Sequence, residues 1–284
     1  MVKIICDSAC DLSPDLLSKF QISVLPYHVL LAEEEYLDGV NITPDTIFSF
    51  VKENGILPKT SAPSLPEITD LFNRELEAYD EIVCFSISQV LSGAHSMMLL
   101  AAEDTGKKER IHIVDTKSLS NGIALLVMEA SEMAAKGCTA KEIVERMEVL
   151  KPQVRVSFVV DTLKYLYMGG RCSAVEAFAG STLRIHPLLS MEEGALYVKK
   201  KYHGSTDRCL LKYEEEIREE LSKAYRGRVF LTASMDRKTP VLEEMYKNLS
   251  GCESVKELYF QNAGSVISSH CGPGASGILY IEKL

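Results

Sequence analysis

The chain has 284 residues, of which 46% are hydrophobic and 25% are charged, and its formal net charge is -9. This is the composition of a globular protein with a sizeable core, arranged as one large domain or two. The negative charge disfavours nucleic acid and anionic membrane surfaces as partners. No apolar run reaches the roughly 18 residues of a membrane helix, and the N-terminus lacks a signal-peptide pattern. We therefore predict a cytoplasmic protein without stable membrane insertion.

The first half of the chain alternates between short β-rich runs and helical stretches, which favours an α/β fold with a parallel sheet. The predicted strands cover 2–6, 22–31, 81–86 and 110–114. Helices are predicted after Ser13-Pro14, between Thr43 and Gly55, and over 64–78, 92–102, 118–135 and 139–150. Two of them open with the capping boxes Ser64-x-x-Glu67 and Thr139-x-x-Glu142.

The pattern changes after Lys151-Pro152. A strand over 154–160 and a short helix ending at Gly169-Gly170 precede a predicted hairpin of 183–190 and 196–202. Helices near 207–225 and 239–249 then alternate with strands over 228–232 and 255–260. We predict an N-terminal α/β domain over 1–155 and a C-terminal α+β domain over 156–284.

Eight cysteines are scattered along the chain, and none forms a C-x-x-C pair. In a chain of this length without a secretion signal, such cysteines are typical of reduced, buried side chains rather than of a disulfide framework. His270-Cys271 is the only adjacent pair of soft metal ligands, and no second pair follows at zinc spacing. We predict no metal site and no cofactor.

One candidate functional loop contains two adjacent hydroxyls, Thr60 and Ser61, before a proline turn and a capped helix. Such hydroxyls donate hydrogen bonds to carboxylates and phosphates. Turn and capping chemistry accounts for Ser64 but does not explain the hydroxyls of Thr60 and Ser61. The pattern is compatible with an anion site and with an ordinary turn.

A second candidate loop joins the strand over 81–86 to the next helix and contains Ser92 and Gly93. Ser92 stands where a helix N-cap belongs, and Gly93 leaves room for a ligand to approach free backbone N–H groups. Such a helix start favours anions. The loop has neither the Walker pattern nor the nucleophile elbow of hydrolases. Simple capping is the alternative interpretation.

Arg171 and His270 stand in two glycine-rich segments of the second half. Arg171 follows Gly169-Gly170 and is suited to pair with an anionic ligand or with a structural carboxylate. His270 lies between hydroxyls and the turn Gly272-Pro273-Gly274, which is an unusual setting for a core histidine. A structural, hydrogen-bonded histidine remains the alternative.

Seven short motifs in one order along nearly the whole chain resemble the DegV family. Each motif is weak alone, but their ordered recurrence is specific. They are Cys6-Asp7-Ser8, Thr60-Ser61-Ala62-Pro63-Ser64, Leu91-Ser92-Gly93, Val114-Asp115-Thr116, Leu163 through Arg171, Ile185-His186-Pro187-Leu188-Leu189 and His270-Cys271-Gly272-Pro273-Gly274.

The resemblance implies a two-domain α/β protein that encloses one long-chain fatty acid in the cleft between its domains. It implies that Thr60 and Ser92 hydrogen-bond the carboxylate, beside Ser61 and Gly93 in the same loops. Arg171 and His270 would complete the polar end. In bacteria with a fatty-acid kinase, such proteins present the bound acid to that kinase for conversion to an acyl phosphate. The resemblance implies a carrier with no catalytic residues of its own.

The chain departs from the family pattern at several positions. Ala94 and Cys271 stand where the family usually has threonine, and no histidine occurs near Thr232. His203 stands where an arginine is expected after the hairpin, and the basic run 199–201 is a candidate substitute. If that arginine serves kinase docking, its replacement bears on the kinase partner more than on lipid binding.

Two other functions fit some of the same residues. A serine hydrolase or acyltransferase would use Ser92 as nucleophile and His270 as base, although no orienting acid is identifiable. Alternatively, the pocket would take another anionic amphiphile or a phosphate-bearing metabolite. The predicted function is fatty-acid binding.

Overall fold

The structure is a computed structural model that describes residues 1–172, 185–234 and 239–284. Its strands are β1 (Val2–Asp7), β2 (Ser23–Leu25), β3 (His28–Leu31), β4 (Glu34–Leu37), β5 (Lys59–Ser61), β6 (Glu81–Ser86), β7 (Ile111–Asp115), β8 (Val154–Val159), β9 (Ile185–Glu192), β10 (Ala195–His203), β11 (Ala224–Ala233), β12 (Glu257–Asn262) and β13 (Ser276–Glu282). Its α-helices are α1 (Pro14–Lys19), α2 (Pro44–Asn54), α3 (Leu65–Glu75), α4 (Ala94–Asp104), α5 (Asn121–Ala135), α6 (Ala140–Leu150), α7 (Lys164–Met168), α8 (Thr206–Glu220), α9 (Pro240–Ser250) and α10 (Ser265–Cys271).

A four-stranded, all-parallel sheet has the order β2-β1-β6-β7. Because β2 lies on one side of β1 and β6 on the other, the strand order reverses between β1 and β6. In parallel sheets, ligands bind at such a reversal, beyond the carboxyl ends of the strands. The loop that carries Ser92 follows β6 at this edge.

A six-stranded mixed sheet has the order β10-β9-β8-β13-β11-β12. Residues alternate between its faces. Leu231 and Ile278 pack with α8 and α9 on one face, whereas Val156, Phe158 and Leu279 belong to the core on the other face. Helix α5 is buried along most of its length and contacts β1 as well as β8 and β13, so it lies between the two large sheets.

A small antiparallel sheet has the order β4-β3-β5, and helix α10 contacts its strands β3 and β5. Two carboxylates of the first half hold the start of α10. Asp11 accepts the N–H of Gly264 at 2.9 Å, and Asp38 accepts the N–H of Ser265 at 2.8 Å. Burial raises the pKa of both carboxyl groups. The bonds attach the second half of the chain to the first.

The predicted α/β fold with a parallel sheet is confirmed, and so are both capping boxes and the helix end at Gly55. The single strand predicted over 22–31 is wrong. It forms two strands, β2 and β3, in different sheets, and Pro26 between them has no N–H for a ladder hydrogen bond.

The hairpin around Gly194 is confirmed as β9 and β10, although its predicted start at 183–184 lies outside the described residues. The division into 1–155 and 156–284 stays a prediction, and it would cut β8 after that strand's second residue.

All eight cysteines lie in the described ranges, none forms a disulfide, and most are buried as predicted. In those ranges no helix is long and apolar enough to cross a membrane.

Candidate functional site

A cavity of about 150 Å³ lies at the carboxyl edge of the parallel sheet. Elements from both halves of the chain line it, including the ends of β5 and α10 and the loops after β6 and α7. The structure brings all the predicted site residues to this cavity, namely Thr60, Ser61, Ser92, Gly93, Arg171 and His270. Tyr27, which the sequence did not single out, lines it as well.

Ser92 is held by two hydrogen bonds in the loop before α4. Its Oγ lies 2.7 Å from the Tyr27 hydroxyl and accepts the N–H of Ala94 at 3.3 Å. Ser92 is not the N-cap that the sequence predicted, because the N-cap is Gly93. The loop closes on itself before that point, with the N–H groups of Leu91 and Ser92 bonded to the carbonyl of Ser88.

Gly93 is exposed, and a Cβ atom there would have no neighbour within 4 Å. The open space beside this backbone agrees with the predicted approach route to the start of α4. Because a first-turn N–H has no partner inside its own helix, it is a donor for an anion.

Thr60 and His270 form the second hydrogen-bonded pair of the cavity, with 2.8 Å between Thr60 Oγ1 and His270 Nε2. Thr60 lies in β5, where the sequence had predicted a loop, and it pairs with Val29 of β3. Side chains alternate across a strand, so Thr60 and Ser61 face opposite sides. Thr60 contacts His270, whereas Ser61 is exposed at the rim.

His270 is neutral at physiological pH. Burial lowers its pKa to about 4, and the positive charge of Arg171 adds to that effect. Its Nδ1 has no hydrogen-bond partner among the described residues. Gly169 packs directly against this nitrogen, and a Cβ atom on Gly169 would lie 2.5 Å from it. A glycine at 169 is therefore required for this ring position.

Arg171 is exposed at the mouth of the cavity. Its guanidinium donates to the carbonyl groups of Gly169 and Leu91. No ion pair joins it to a carboxylate in the part of the chain that the structure describes. The structural ion pair that was the alternative for Arg171 is therefore not formed there, and its charge faces the cavity.

An inner cavity of about 30 Å³ continues the first one toward the mixed sheet. The two share Leu119, Ile267 and Cys271 in their walls. Val156, Phe158 and Leu279 of the sheet face give the inner part a mostly apolar lining. Ligand pockets start at roughly 300 Å³, so an acyl chain would require side chains between the two cavities to move apart.

The contact required by a serine hydrolase is not made. Ser92 is bonded to Tyr27, His270 is bonded to Thr60, and no hydrogen bond joins Ser92 to His270 in residues 1–172, 185–234 and 239–284. Among the described residues, no carboxylate orients Nδ1 of His270 as in a catalytic triad. The hydroxyls of Ser92 and Thr60 are hydrogen-bonded to Tyr27 and His270 respectively.

Tyr27 and the inner wall are the parts that sequence reasoning missed. Tyr27 follows Pro26 inside an apolar run, which indicated an ordinary core strand. Its hydroxyl meets Ser92, which is 65 positions away in the chain, and no local pattern predicts such a contact. The inner wall uses alternate residues of β8 and β13, which read as common buried strands.

Comparison with known proteins agrees with this architecture. The family model described as "Uncharacterised protein, DegV family" matches residues 1–283. A DegV domain-containing protein of Clostridium acetobutylicum is 30% identical over 284 residues, with 99% of each chain covered. A protein of Thermotoga maritima named fatty acid-binding protein is 28% identical over 282 residues, covering 97% of this chain and 96% of that one.

The solved structures include close matches of the whole chain. A structure that reports fatty acid binding of a DegV family protein from Thermus thermophilus superimposes with a TM-score of 0.90 at 29% identity, covering 99% of both chains. A stearic acid-binding protein from Eubacterium ventriosum superimposes with a TM-score of 0.86 at 27% identity, covering 100% of this chain and 99% of that one. This chain belongs to the DegV family.

Proposed function

We propose that this chain binds one long-chain fatty acid, with the carboxylate at the outer cavity and the acyl chain in the inner one. The observation that carries the proposal is the polarity of this two-part cavity. Donors from Thr60, Ser92, Arg171 and His270 gather at its mouth, and the wall beyond Ile267 is mostly apolar. That distribution matches an amphiphile with an anionic head better than a compact phosphate metabolite.

The acyl chain supplies the free energy of binding in this proposal. Burying one CH₂ group contributes about 0.8 kcal/mol, so a chain of roughly 16 carbons gains on the order of 10 kcal/mol before ordering costs. Part of that free energy is offset by the cost of moving apart the side chains of the inner cavity, whose volume is only about 30 Å³. The net affinity is therefore lower than the transfer value alone.

The head group then needs fixed donors, because a buried carboxylate without partners is costly. We assign Thr60, Ser92 and the neutral His270 to hydrogen bonds with the carboxylate. Arg171 would supply the balancing charge, and the backbone at Gly93 a further donor. Ser61 would contact the head group at the exposed rim. The Thermus and Eubacterium relatives, which are described as fatty-acid-binding, support a fatty acid as the ligand.

We also propose the two-domain division near residue 155, with the ligand between the domains. The cavity walls support it, since Thr60 and Ser92 belong to the first part and Arg171, Leu196 and His270 to the second.

Direct binding tests the proposal. Delipidated protein is titrated with stearate by isothermal calorimetry, and Thr60→Ala and Ser92→Ala are compared with Ser250→Ala, whose hydroxyl bonds within α9. We expect a stoichiometry near one, an affinity lowered about tenfold in each site variant, and no change in the control. Absence of binding, or equal affinities in all four proteins, would overturn the proposal.

We further propose that the bound acid is presented to a fatty-acid kinase. Arg171 is exposed at the cavity mouth, which gives a second protein access to the head group. The kinase would transfer the γ-phosphoryl group of ATP to a carboxylate oxygen, releasing ADP. His203 is exposed at the end of β10 and does not line the cavity.

This partnership is tested with stearate-loaded protein, a bacterial fatty-acid kinase and ATP, with the acyl phosphate trapped by hydroxylamine as a hydroxamate. We expect hydroxamate formation that depends on the loaded carrier, and a faster rate in His203→Arg if position 203 serves docking. A rate equal to that of kinase with free stearate would contradict presentation.

A further inference from the structure

We propose that Tyr27 makes the head-group site selective for an ionised carboxylate over neutral head groups. The inference rests on the proposed fatty-acid binding and assigns the head-group specificity of that site to Tyr27. Tyr27 contacts the Ser92 hydroxyl at 2.7 Å and so limits the hydrogen bonds that Ser92 can form with a ligand.

A serine hydroxyl has one proton to donate and two lone pairs to accept with. One lone pair of Ser92 Oγ is occupied by the N–H of Ala94 at 3.3 Å, which can only donate. When the Tyr27 hydroxyl donates to Ser92, both lone pairs are used. Ser92 can then only donate its proton to a ligand.

The opposite direction would leave one lone pair of Ser92 free, so the selectivity requires that Tyr27 is the donor of this bond. A phenol is more acidic than an alkyl hydroxyl and is therefore the stronger hydrogen-bond donor of the two. Burial raises the pKa of Tyr27, so the phenol keeps its proton at neutral pH and can donate it. The pair then offers the Ser92 proton to a ligand in the cavity that both residues line.

The other groups at the mouth are also donors. Arg171 has only N–H groups, and the pair of Thr60 with neutral His270 shares one hydrogen bond and retains one further proton. A carboxylate accepts from all of these groups. An alcohol or a protonated acid brings an O–H of its own, which finds no free lone pair on Ser92 and is costly to bury unpaired.

Replacing Tyr27 with phenylalanine restores a free lone pair on Ser92. That lone pair can accept the O–H of an alcohol. The Ser92 proton is no longer directed toward a carboxylate by the bond to Tyr27. The two changes act in opposite directions on the two ligands. Tyr27 is thus a specificity-determining and positioning residue, and a merely structural role would move both affinities together.

The experiment compares stearate with stearyl alcohol at about pH 8, where a carboxylate is ionised and His270 is neutral. We expect wild-type protein to prefer stearate, and Tyr27→Phe to lower the ratio of the two affinities roughly tenfold. Tyr36→Phe, which removes a hydroxyl bonded to Glu34 outside the cavity, should leave the ratio unchanged. In the Ser92→Ala background, Tyr27→Phe should have almost no further effect on the ratio.

The outcomes separate the two claims. If wild-type protein binds neither ligand, the proposed function fails. If it binds stearate but Tyr27→Phe keeps the wild-type ratio, or loses the same factor for both ligands, the assignment of Tyr27 is wrong while the proposed function stands. Circular dichroism and thermal melting establish that each variant is folded before its ratio is interpreted.

Discussion

The Ser88 hydroxyl donates a hydrogen bond of 2.8 Å to the carbonyl oxygen of Gly194, at the tip of the β9–β10 hairpin. Ser88 begins the loop that carries Ser92, so this bond attaches the hairpin of the mixed sheet to the head-group site. Lys117 and Glu193 form an ion pair beside it. Leu196, just beyond the tip, lines the cavity. The hairpin therefore contributes to the cavity wall through Leu196.

Substituting Gly194 with alanine should loosen this contact. Gly194 has φ +83°, and a Cβ atom there would lie 2.4 Å from Ser88 Oγ. The matched control is Gly55→Ala, with φ +70° and nothing within 4 Å, which carries the backbone strain alone. Urea unfolding should show a loss of about 1–2 kcal/mol for the control. Gly194→Ala should lose about 1–3 kcal/mol more.

Adding Ser88→Ala tests the cause of that difference. The nearest side-chain atom of residue 88 would then be Cβ, 3.5 Å away, which is ordinary contact. Because Ser88→Ala also removes the hydrogen bond to Gly194, the double variant is compared with Ser88→Ala alone, and Gly194→Ala should then cost no more than Gly55→Ala does. Equal destabilisation by Gly194→Ala and Gly55→Ala would show that the contact with Ser88 is relaxed at no cost.

The pKa of His270 is the second quantity to measure. In ligand-free protein, NMR titration should place it at about 4, because burial and Arg171 both disfavour the charged ring. Arg171→Gln should raise it while leaving it below 6.5, since burial persists. A lower or unchanged pKa in Arg171→Gln would contradict the proximity of the two side chains.

The same shift has a consequence for stability. Because the folded-state pKa lies below the unfolded value of 6.5, the unfolded chain binds this proton more strongly between pH 6.5 and about 4. The contribution of His270 to stability is thus fully present above pH 6.5 and is lost as the pH falls toward about 4. Comparing wild-type protein with His270→Gln across this range isolates it from other groups.

Phe158 should limit the length of the acyl chain. Phe158 is the largest of the described residues that line the inner cavity. It lies beside Gly277, and a Cβ atom added to Gly277 would lie 2.8 Å from the Cβ atom of Phe158. In wild-type protein each added CH₂ should raise the affinity about fourfold until the chain reaches this ring. In Phe158→Leu the rise should continue to longer acids.

The matched control for this series is Phe230→Leu. Phe230 is fully buried and stacks on Tyr259, but it lines neither cavity. It should alter stability without moving the optimal chain length. The same optimum in wild type and Phe158→Leu would show that another part of the wall sets the length.

Local rules explain which elements were predictable from the sequence. The hydrogen bonds of the capping boxes at Ser64 and Thr139 are formed within four residues, so both boxes can be recognised from the local sequence. The break at Pro26 was missed because the flanking residues on both sides suit a strand. Which sheet each part joins depends on partners far along the chain.

The candidate site divides in the same way. Gathering Thr60, Ser92, Arg171 and His270 at one cavity followed from the family resemblance and from the edge of a parallel sheet. The hydrogen-bond partners within the site could not be predicted from either of these. Ser92 lies one residue before the N-cap, and its partner Tyr27 lies in the short segment between β2 and β3. Those facts depend on loop geometry that propensities do not encode.

The most direct test of the proposed function is native mass spectrometry of untreated protein purified from a bacterial host. We expect a complex heavier than the chain by the mass of one long-chain fatty acid, which is released by denaturing extraction and returns when stearate is added. Protein that is free of lipid and stays at the mass of the bare chain after addition of stearate would contradict it.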